Sequence, residues 1–369
     1  MNIHDFCRPA KSVGLDSFRL SRVDTLLQDG IRDRLYPAAT YLILRHGMIV
    51  AHGAFGIAQP DADPPRPATI DTIFDMASIT KTMTATLLLQ CVEEGRLYLD
   101  QELRHHVPEA EHTPIGAVAI RLLATHTSGL PAWKDVHTAH SPLADILATP
   151  LESKPGTKYT YSDLGYILLG YMLERIMRMP LDNLAHDRIF APLGMAYSGY
   201  RPAAALHGSI AATTAPIGEV HDPNARGMGG VAGHAGLFSS APDMLRFILS
   251  FRHPAIAARS GLPPILGPLA RQLAQLRQTD AAIGGHTIGW FAYPSSFLPR
   301  GDLLSKDTFG HTGFTGTLLL FDPENDVTFL LLTNRVYYEA LHDGAAVVRQ
   351  RRLLANVIGG AIMGSDAGR

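Results

Sequence analysis

The chain has 369 residues, of which 46% are hydrophobic and 18% are charged, which is the composition of an ordinary globular protein rather than of a disordered one. This length fits one large domain or two. A net charge of −2 and a sequence pI near 6.8 indicate no basic surface for nucleic acid or for an anionic membrane. The 2 cysteines, Cys7 and Cys91, do not make a disulfide framework, and Cys91 is expected to be buried.

The first residues lack the basic and then apolar layout of a signal peptide. No apolar run approaches the roughly 20 residues that a membrane span requires. We therefore expect a soluble, cytoplasmic protein, and export from a longer precursor stays open.

Apolar spacing predicts an amphipathic helix over residues 18–32. Two strand-like runs, 38–45 and 48–54, flank His46-Gly47 and predict a hairpin. A loop rich in proline and aspartate then precedes a helical stretch that ends near residue 94. From residue 95 to about 252 the chain is expected to form mainly helices and long loops, and later strands precede a final helix. The predicted helices are 115–124, 143–148, 162–178, 241–251 with a capping box at 240–243, and 339–358; the late strands are 288–293, 316–321 and 327–334.

This order of elements predicts an α+β fold in which early and late strands form one antiparallel sheet flanked by helices. The middle of the chain is then a mainly helical insertion. We place the sheet domain at residues 1–95 and 285–369 and the inserted domain at 96–284. An active site is expected between the two parts, with Ser78 at the seam.

Ser78 and Lys81 open the helical stretch that ends near residue 94. A spacing of three residues puts both side chains on one face of a helix, one turn apart. Serine needs a base to act as a nucleophile, and a lysine amine in a dry pocket can be that base. The helix N-terminus adds N–H groups that suit a developing oxyanion. Because this pattern occurs by chance in other proteins, a capped helix with a solvated lysine is the alternative on this motif alone.

Tyr161-Ser162-Asp163 opens a second helix with a strong apolar face. One interpretation is a helix cap beside a packed tyrosine. The other places the Tyr161 hydroxyl near Ser78 and Lys81, where the lysine would lower the pKa of the tyrosine and the hydroxyl could relay protons.

A third candidate segment, residues 310–316, has three glycines just before a predicted strand. Glycines allow a backbone to approach a ligand closely, and a strand edge beside a nucleophile offers N–H groups to a substrate carbonyl. A bulged edge strand without a catalytic role is the alternative interpretation.

A second glycine-rich segment, residues 227–236, follows a polar stretch rather than a strand, so it does not predict a dinucleotide site. His221, Asp222 and His234 could bind a metal, but no His-Glu-x-x-His or Cys-x-x-Cys pattern supports that interpretation. The nucleophile elbow of α/β-hydrolases and the Walker motif are also absent. We expect no metal and no cofactor.

Taken together and in this order, Ser78-x-x-Lys81, Tyr161-x-Asp163 and His311-Thr312-Gly313 resemble the three active-site motifs of the serine β-lactamase and penicillin-binding protein superfamily. The most similar branch holds class C β-lactamases, D-alanyl-D-alanine carboxypeptidases and family VIII carboxylesterases. The resemblance spans roughly residues 20–335. Further stretches that resemble this branch are 126–131, 155–157, 165–166 and 233–239.

The resemblance implies a role for each motif residue. Ser78 would be the acylated nucleophile, and Lys81 and Tyr161 would share the work of general base. Asp163 would hold Lys81 and the substrate amide, and the N–H groups of Ser78 and Phe314 would form the oxyanion hole. The remaining candidates for substrate binding are His311 and Thr312, on the carboxylate side, with Gly313, Trp133 and His234.

Two positions depart from the commonest pattern of the superfamily. Asp163 stands where Asn is frequent, and its negative charge favours the protonated form of Lys81, which shifts the expected base toward Tyr161. His311 stands where Lys is frequent, and an unperturbed histidine is mostly neutral above about pH 6.5. A neutral side chain lacks the attraction of lysine for a substrate carboxylate, so esters rank ahead of β-lactams.

These features favour a serine hydrolase that forms an acyl-enzyme on a small ester, amide or β-lactam, with esterase activity first. D-alanyl-D-alanine carboxypeptidase, penicillin-binding protein and weak β-lactamase are the alternatives within this class. A slowly deacylating penicillin sensor and a metal-dependent enzyme using His221, Asp222 and His234 are the alternatives outside it. The sequence predicts no nucleic-acid partner and leaves the oligomeric state open.

Overall fold

A computed structural model describes residues 3–341 and 344–363. Its largest element is a seven-stranded antiparallel sheet whose strand order is β3-β2-β1-β10-β9-β8-β7. A second sheet of three strands has the order β4-β6-β5. The strands are β1 (Ala38–Arg45), β2 (Met48–Gln59), β3 (Arg66–Pro67), β4 (Ile73–Asp75), β5 (Gly199–Tyr200), β6 (Leu237–Ser240), β7 (Phe291–Ala292), β8 (Phe309–Thr312), β9 (Leu318–Asp322) and β10 (Val327–Thr333).

Helices cover both faces of the large sheet. Those near the chain ends are α1 (Ser17–Leu20), α2 (Arg22–Arg32) and α12 (Ala345–Gly360), and the helix after the second sheet's first strand is α3 (Thr80–Glu93). The middle of the chain adds α4 (Ile120–Ala124), α5 (Pro142–Leu147), α6 (Asp163–Met177), α7 (Leu181–Ala185), α8 (Pro223–Gly227), α9 (Ala241–Arg252), α10 (Pro254–Arg259) and α11 (Pro268–Gln275). The predicted antiparallel sheet flanked by helices is confirmed.

Alternate residues of the central strands enter two different cores. Tyr41 and Ile43 of β1 pack with Leu27 of α2 and Leu354 of α12. Their neighbours Leu42 and Leu44 face the opposite core, which holds Met83 of α3 and Phe251 of α9. Because both faces are covered, β1 and β10 have nearly continuous apolar sequences instead of alternating ones.

Three predicted elements are clearly shorter than the sequence suggested. Helix 115–124 forms only over Ile120–Ala124, because Leu103 N–H donates to the carbonyl of Val118 and commits that backbone to another segment. Strand 288–293 is reduced to Phe291–Ala292. The last helix begins at Ala345, after the N-cap residue Gly344, whose φ of 88° is not helical.

The second sheet was not predicted: β5 and β6 lie in the region expected to form mainly helices and long loops, and β4 lies just before Ser78. In it, Phe74 of β4 pairs with Ser239 of β6. The predicted capping box is wrong as well: the Ser240 side chain makes no cap bond, and the Asp243 carboxylate instead accepts the N–H of Tyr197 at 2.7 Å. This sheet ties the strand that precedes Ser78 to the middle of the chain.

Candidate active site

Ser78 lies in a 3-10 turn, Ala77–Ile79, that leads directly into α3. Ala77 has a φ of 46°, a left-handed conformation that is uncommon for a residue with a side chain. The Asp75 carboxylate holds this turn by accepting the N–H of Ala77 at 2.8 Å. Ser78 is thereby presented at a helix start, where N–H groups have no intrahelical acceptor.

Lys81 is fully buried one turn after Ser78. Its Nζ lies 2.9 Å from Ser78 Oγ, 2.7 Å from Asp163 Oδ1 and 3.1 Å from the carbonyl oxygen of His234. Ser78 Oγ and the His234 carbonyl accept hydrogen bonds from Nζ, and the Asp163 carboxylate forms an ion pair with it. A buried ammonium group requires such partners, and a fully buried Lys81 is not the solvated lysine of the alternative interpretation.

The Tyr161 hydroxyl faces the Ser78 side chain, and Lys81 Nζ lies 4.9 Å from the centroid of the Tyr161 ring. Burial, and then the charge of Asp163, raise the pKa of Tyr161 well above its ordinary value. The sequence-based expectation that Lys81 lowers this pKa is therefore wrong. Tyr161 is a neutral phenol at neutral pH, able to donate a proton but not present as phenolate.

His126 holds the backbone on both sides of Tyr161. Its carbonyl accepts the N–H of Thr160 at 2.9 Å, and its Nδ1 accepts the N–H of Ser162 at 3.0 Å. Its ring centroid lies 4.5 Å from that of Tyr161. His126 itself has a φ of 57°. These contacts fix the orientation of the Tyr161 backbone against the cavity.

Asp163 is the first residue of α6, and Ser162 caps this helix through a contact of 3.5 Å from Oγ to the N–H of Gly165. The N–H of Asp163 also donates to the carbonyl of Ala132 at 3.0 Å. The Asp163 side chain is 18% exposed, so it reaches Lys81 on one side and the cavity on the other.

The third motif packs directly on the turn that carries Ser78. Thr317 Oγ1 donates to the carbonyl of Met76 at 3.0 Å, and Thr315 Oγ1 donates to that of Asp75 at 2.7 Å. A Cβ at Gly313 would lie 2.6 Å from the Met76 carbonyl oxygen, so only glycine permits this approach. The loop before β9 is thus held against the backbone of the nucleophile.

Two arginine side chains donate hydrogen bonds to backbone carbonyls of this loop. Arg335 Nε donates to the carbonyl of Phe314 at 2.5 Å, and its guanidinium lies 4.2 Å from the centroid of the Phe314 ring. Arg351 donates to the carbonyls of Gly313 and Thr317 at 2.8 and 2.9 Å. These contacts hold the carbonyls of Gly313, Phe314 and Thr317, and so fix the backbone around Phe314.

His311 is only 1% exposed, and its ring is stacked on Phe291 with centroids 4.4 Å apart. Burial, and then Lys81 and His286, lower its pKa well below the ordinary value. Nδ1 contacts the carbonyl of Thr312 at 2.8 Å and must donate there, which fixes the neutral tautomer. The expectation of an unperturbed, titrating His311 is therefore wrong, while its role toward substrate stays a prediction.

The proposed metal ligands form hydrogen bonds with different partners. His234 Nε2 contacts Asp222 Oδ1 at 2.9 Å, whereas His221 Nε2 contacts Glu339 at 2.9 Å. Burial alone would raise the pKa of Asp222, but His234 holds it below its usual value. Within residues 3–341 and 344–363, the ligand atoms of His221, Asp222 and His234 do not all come within 4.8 Å of one another. The metal-dependent alternative has no ligand cluster here.

A cavity of about 920 Å³ opens above Ser78. The candidates from the sequence that line it are Ser78, Trp133, Tyr161, Asp163, Thr312, Gly313 and Phe314. Lys81, His234 and His311 lie behind this surface, each 1% exposed or less. His234 reaches the site through its backbone carbonyl rather than its ring. The structure thus brings the three motifs together around one cavity.

Sequence analysis missed two residues that organise this site, Asp75 and His126. Asp75 was visible as an acidic residue just before the helix start, where aspartate commonly bonds to the backbone two residues on. His126 opens the stretch 126–131 that was noted only as a supporting resemblance. Its contacts to Thr160 and Ser162 join segments more than thirty residues apart and leave no local signal.

Comparison with known sequences places the chain in a family. The sequence model described as Beta-lactamase matches residues 23–353, which is most of the chain. The chain belongs to the beta-lactamase family. A putative D-alanyl-D-alanine carboxypeptidase of Salmonella paratyphi A is 32% identical over 370 aligned positions, covering 88% of this chain and 84% of the relative. The relative from Salmonella typhi has the same identity and coverage. This beta-lactamase-family protein is a serine hydrolase.

Solved structures of the same fold include several family members. "A class C beta-lactamase" has a TM-score of 0.75 at 21% identity and covers 95% of this chain and 98% of its own. The hydrolase EstCE1, described as having promiscuous acyltransferase activity, has a TM-score of 0.73 at 21% identity, covering 93% and 99%. The octameric penicillin-binding protein homologue from Pyrococcus abyssi has a TM-score of 0.69 at 22% identity, covering 92% and 77%. At this identity the three show the fold of the beta-lactamase family and nothing finer.

In the described ranges of the chain, no helix combines the length and the apolar character needed to cross a bilayer.

Proposed function

We propose that this serine hydrolase forms an acyl-enzyme on Ser78 and hydrolyses small uncharged esters. The observation that carries the proposal is the contact of 2.9 Å between Lys81 Nζ and Ser78 Oγ at the floor of the cavity. A base at hydrogen-bond distance from a serine hydroxyl is the arrangement that nucleophilic catalysis requires.

Lys81 and Tyr161 act as one proton-exchanging pair. Because burial and Asp163 raise the pKa of Tyr161, the reactive form of the pair has an intact tyrosine hydroxyl and an unprotonated lysine amine. The Ser78 hydroxyl gives its proton to Lys81 Nζ as Oγ bonds to the substrate carbonyl carbon. The carboxylate of Asp163, 2.7 Å away, stabilises the ammonium that forms.

The Tyr161 hydroxyl then donates its proton to the departing alkoxide and recovers one from Lys81. The N–H groups of Ser78 and Phe314 are proposed to stabilise the negative charge on the carbonyl oxygen. In the second half of the cycle water attacks the acyl carbon and gives a proton to Lys81; the bond between this carbon and Ser78 Oγ then breaks, the acid leaves, and the pair returns the proton to Oγ.

The cavity wall supports uncharged substrates. Aromatic side chains form much of it: Trp133, Phe291, Phe297 and Phe314. Of the described cations in the wall, Arg335 and Arg351 donate to carbonyls of the third motif, and Arg226 donates to the carbonyl of His221 at 2.8 Å. His311, the expected contact for a carboxylate, is neutral and buried. An ester therefore binds here without needing an uncommitted cation.

D-alanyl-D-alanine carboxypeptidase activity is the second candidate. It is favoured by the relatives that carry this name at 32% identity and by Arg335, whose guanidinium lines the cavity beside Phe314. If a free N–H of Arg335 contacts a substrate carboxylate, a D-Ala-D-Ala peptide can be held in the orientation required. A slowly deacylating penicillin sensor uses the same acylation step and differs only in the second half of the cycle.

The test compares kcat/KM for three substrates on one preparation: a short-chain aryl ester, a D-Ala-D-Ala peptide and a penicillin. The proposal predicts that the neutral ester is hydrolysed with the highest kcat/KM. Arg335→Gln is the matched variant: because Arg335 also donates to the Phe314 carbonyl, ester hydrolysis should decrease as well, but hydrolysis of any carboxylate substrate should decrease about tenfold more. Efficient peptide hydrolysis that Arg335→Gln abolishes would replace the esterase assignment with the carboxypeptidase.

A further inference from the structure

The N-terminal segment lies along the second strand of the large sheet, and it brings metal-ligating side chains to that strand. Cys7 forms a parallel bridge with Ile49 of β2, and the N–H of Arg8 donates to the Ile49 carbonyl at 2.8 Å. His52 follows three residues later on β2. The start of the chain and the sheet therefore meet at these positions.

His4 and Cys7 lie on one face of this segment. Residues Ile3–Phe6 form a 3-10 turn, in which side chains three residues apart are eclipsed. The N–H of Cys7 donates to the carbonyl of His4 at 3.2 Å and continues that turn. The rings of His4 and His52 lie with centroids 6.1 Å apart.

One ligand atom from each of His4, Cys7 and His52 lies within 4.8 Å of the other two. In the described part of the chain, this is the only group of three or more His, Cys, Asp or Glu residues that meets this distance. In a tetrahedral zinc site, Zn–S is about 2.3 Å and Zn–N about 2.0–2.1 Å, so neighbouring ligand atoms are roughly 3.3–3.6 Å apart. Ligand atoms that lie within 4.8 Å of one another reach these separations by approaching by at most about 1.5 Å.

We propose that His4, Cys7 and His52 bind one Zn²⁺ ion. Two imidazoles and one thiolate are a donor set that zinc prefers over magnesium or calcium, which take oxygen ligands. The fourth coordination position of the ion is open to a water molecule, because His4 is exposed to solvent. None of the three residues lines the cavity above Ser78, so the ion is separate from the hydrolytic site. Its effect is to fasten the N-terminal segment to the sheet.

The experiment uses the full chain without an affinity tag, stripped of metal with a chelator and kept reduced without thiols. Titration with Co²⁺ reports a thiolate ligand through a sulfur-to-metal charge-transfer band, and competition with Zn²⁺ gives the Kd for zinc. We expect one equivalent of Co²⁺ per chain, displacement by one equivalent of Zn²⁺, and a Tm that rises with Zn²⁺.

Cys7→Ser should remove the charge-transfer band and weaken Zn²⁺ binding at least about tenfold. Cys91→Ser is the matched control, because it removes the other free cysteine, which is buried on α3; it should bind as the wild type does. His52→Ala should lose affinity as Cys7→Ser does, and Ser78→Ala should keep it. A wild type without the band, or equal losses in Cys7→Ser and Cys91→Ser, would overturn the proposal.

Discussion

Lys81 and His311 are both buried beside the same cavity, and their surroundings give them opposite chemistry. Lys81 Nζ contacts three oxygens, one of them the carboxylate of Asp163. His311 has a backbone carbonyl on Nδ1, the face of Phe291 against its ring, and no hydrogen-bond partner on Nε2 in the described ranges.

The difference shows that acceptors, rather than burial alone, decide whether a buried nitrogen carries charge. A carboxylate and two further oxygens surround Lys81 Nζ, and in the proposed mechanism one proton moves between Lys81 and its neighbours. His311 lacks such acceptors, and it therefore serves as a neutral, packed ring. Substitutions at Lys81 and its neighbours, and at His311, test this distinction.

The largest effect is expected at Lys81. Lys81→Met should lower kcat for ester hydrolysis about 10³-fold or more, because no base then contacts Ser78 Oγ. Lys81→Arg is the matched variant: it keeps a cation for Asp163 but cannot be deprotonated. We expect it to be as inactive as Lys81→Met in a steady-state assay. An active Lys81→Arg enzyme would show that Lys81 is not the base.

Tyr161→Phe should lower kcat about a hundredfold for an alkyl ester, because the departing alkoxide loses its proton donor. An aryl ester with a stable phenolate needs less protonation, so its loss should be clearly smaller. The Tm should hardly change, since the ring contacts with His126 and Phe291 remain. If both esters lose activity equally, Tyr161 does not protonate the leaving group.

His126 is expected to have a smaller effect, through its hold on the residues beside Tyr161. His126→Ala should lower kcat about tenfold and leave KM nearly unchanged, because the N–H of Ser162 loses its acceptor. His126→Asn offers an acceptor and tolerates the left-handed φ, so it should recover part of kcat. If His126→Asn restores the Tm but not kcat, His126 contributes to folding and does not position Tyr161.

The smallest effect is expected at His311. Because burial holds its pKa well below 6.5, the side chain stays neutral from pH 6 to 8, and KM for a carboxylate substrate should be flat over that range. If His311 were an unperturbed histidine that contacts the substrate carboxylate, KM would instead fall as the pH decreases toward 6. His311→Gln should change kcat/KM for neutral and anionic substrates by similar factors. A preferential gain with His311→Lys for the anionic substrate would revive the carboxylate contact.

The spacing of apolar residues along the sequence predicted the helices and strands whose formation depends mainly on nearby residues. The helix expected over 162–178 is observed as Asp163–Met177, and the strand expected over 327–334 as Val327–Thr333, because both have strong apolar periodicity or continuity. The pairing of Ser78 with Lys81 likewise needs only one helical turn.

The rest depends on contacts between distant segments. The burial of His311 against Phe291 lowers the pKa of this histidine, and the sequence of residues 310–316 gives no sign of that burial. The pKa of Tyr161 is raised by its complete burial and, to a lesser extent, by the charge of Asp163. The sequence-based reasoning took only the charge of Lys81 into account. The second sheet depends on three short strands that are brought together only by the folded middle of the chain.

Intact-protein mass spectrometry tests the central claim, acylation of Ser78, most directly. The wild type is mixed with a short-chain aryl ester, quenched in acid within the first turnovers and then after substrate is exhausted. We expect a mass increase equal to one acyl group at the early time, located by peptide mapping to the segment that holds Ser78, and its loss at the late time. Ser78→Ala should never gain the mass. An acyl group that maps elsewhere, or that forms equally in Ser78→Ala, would contradict the account.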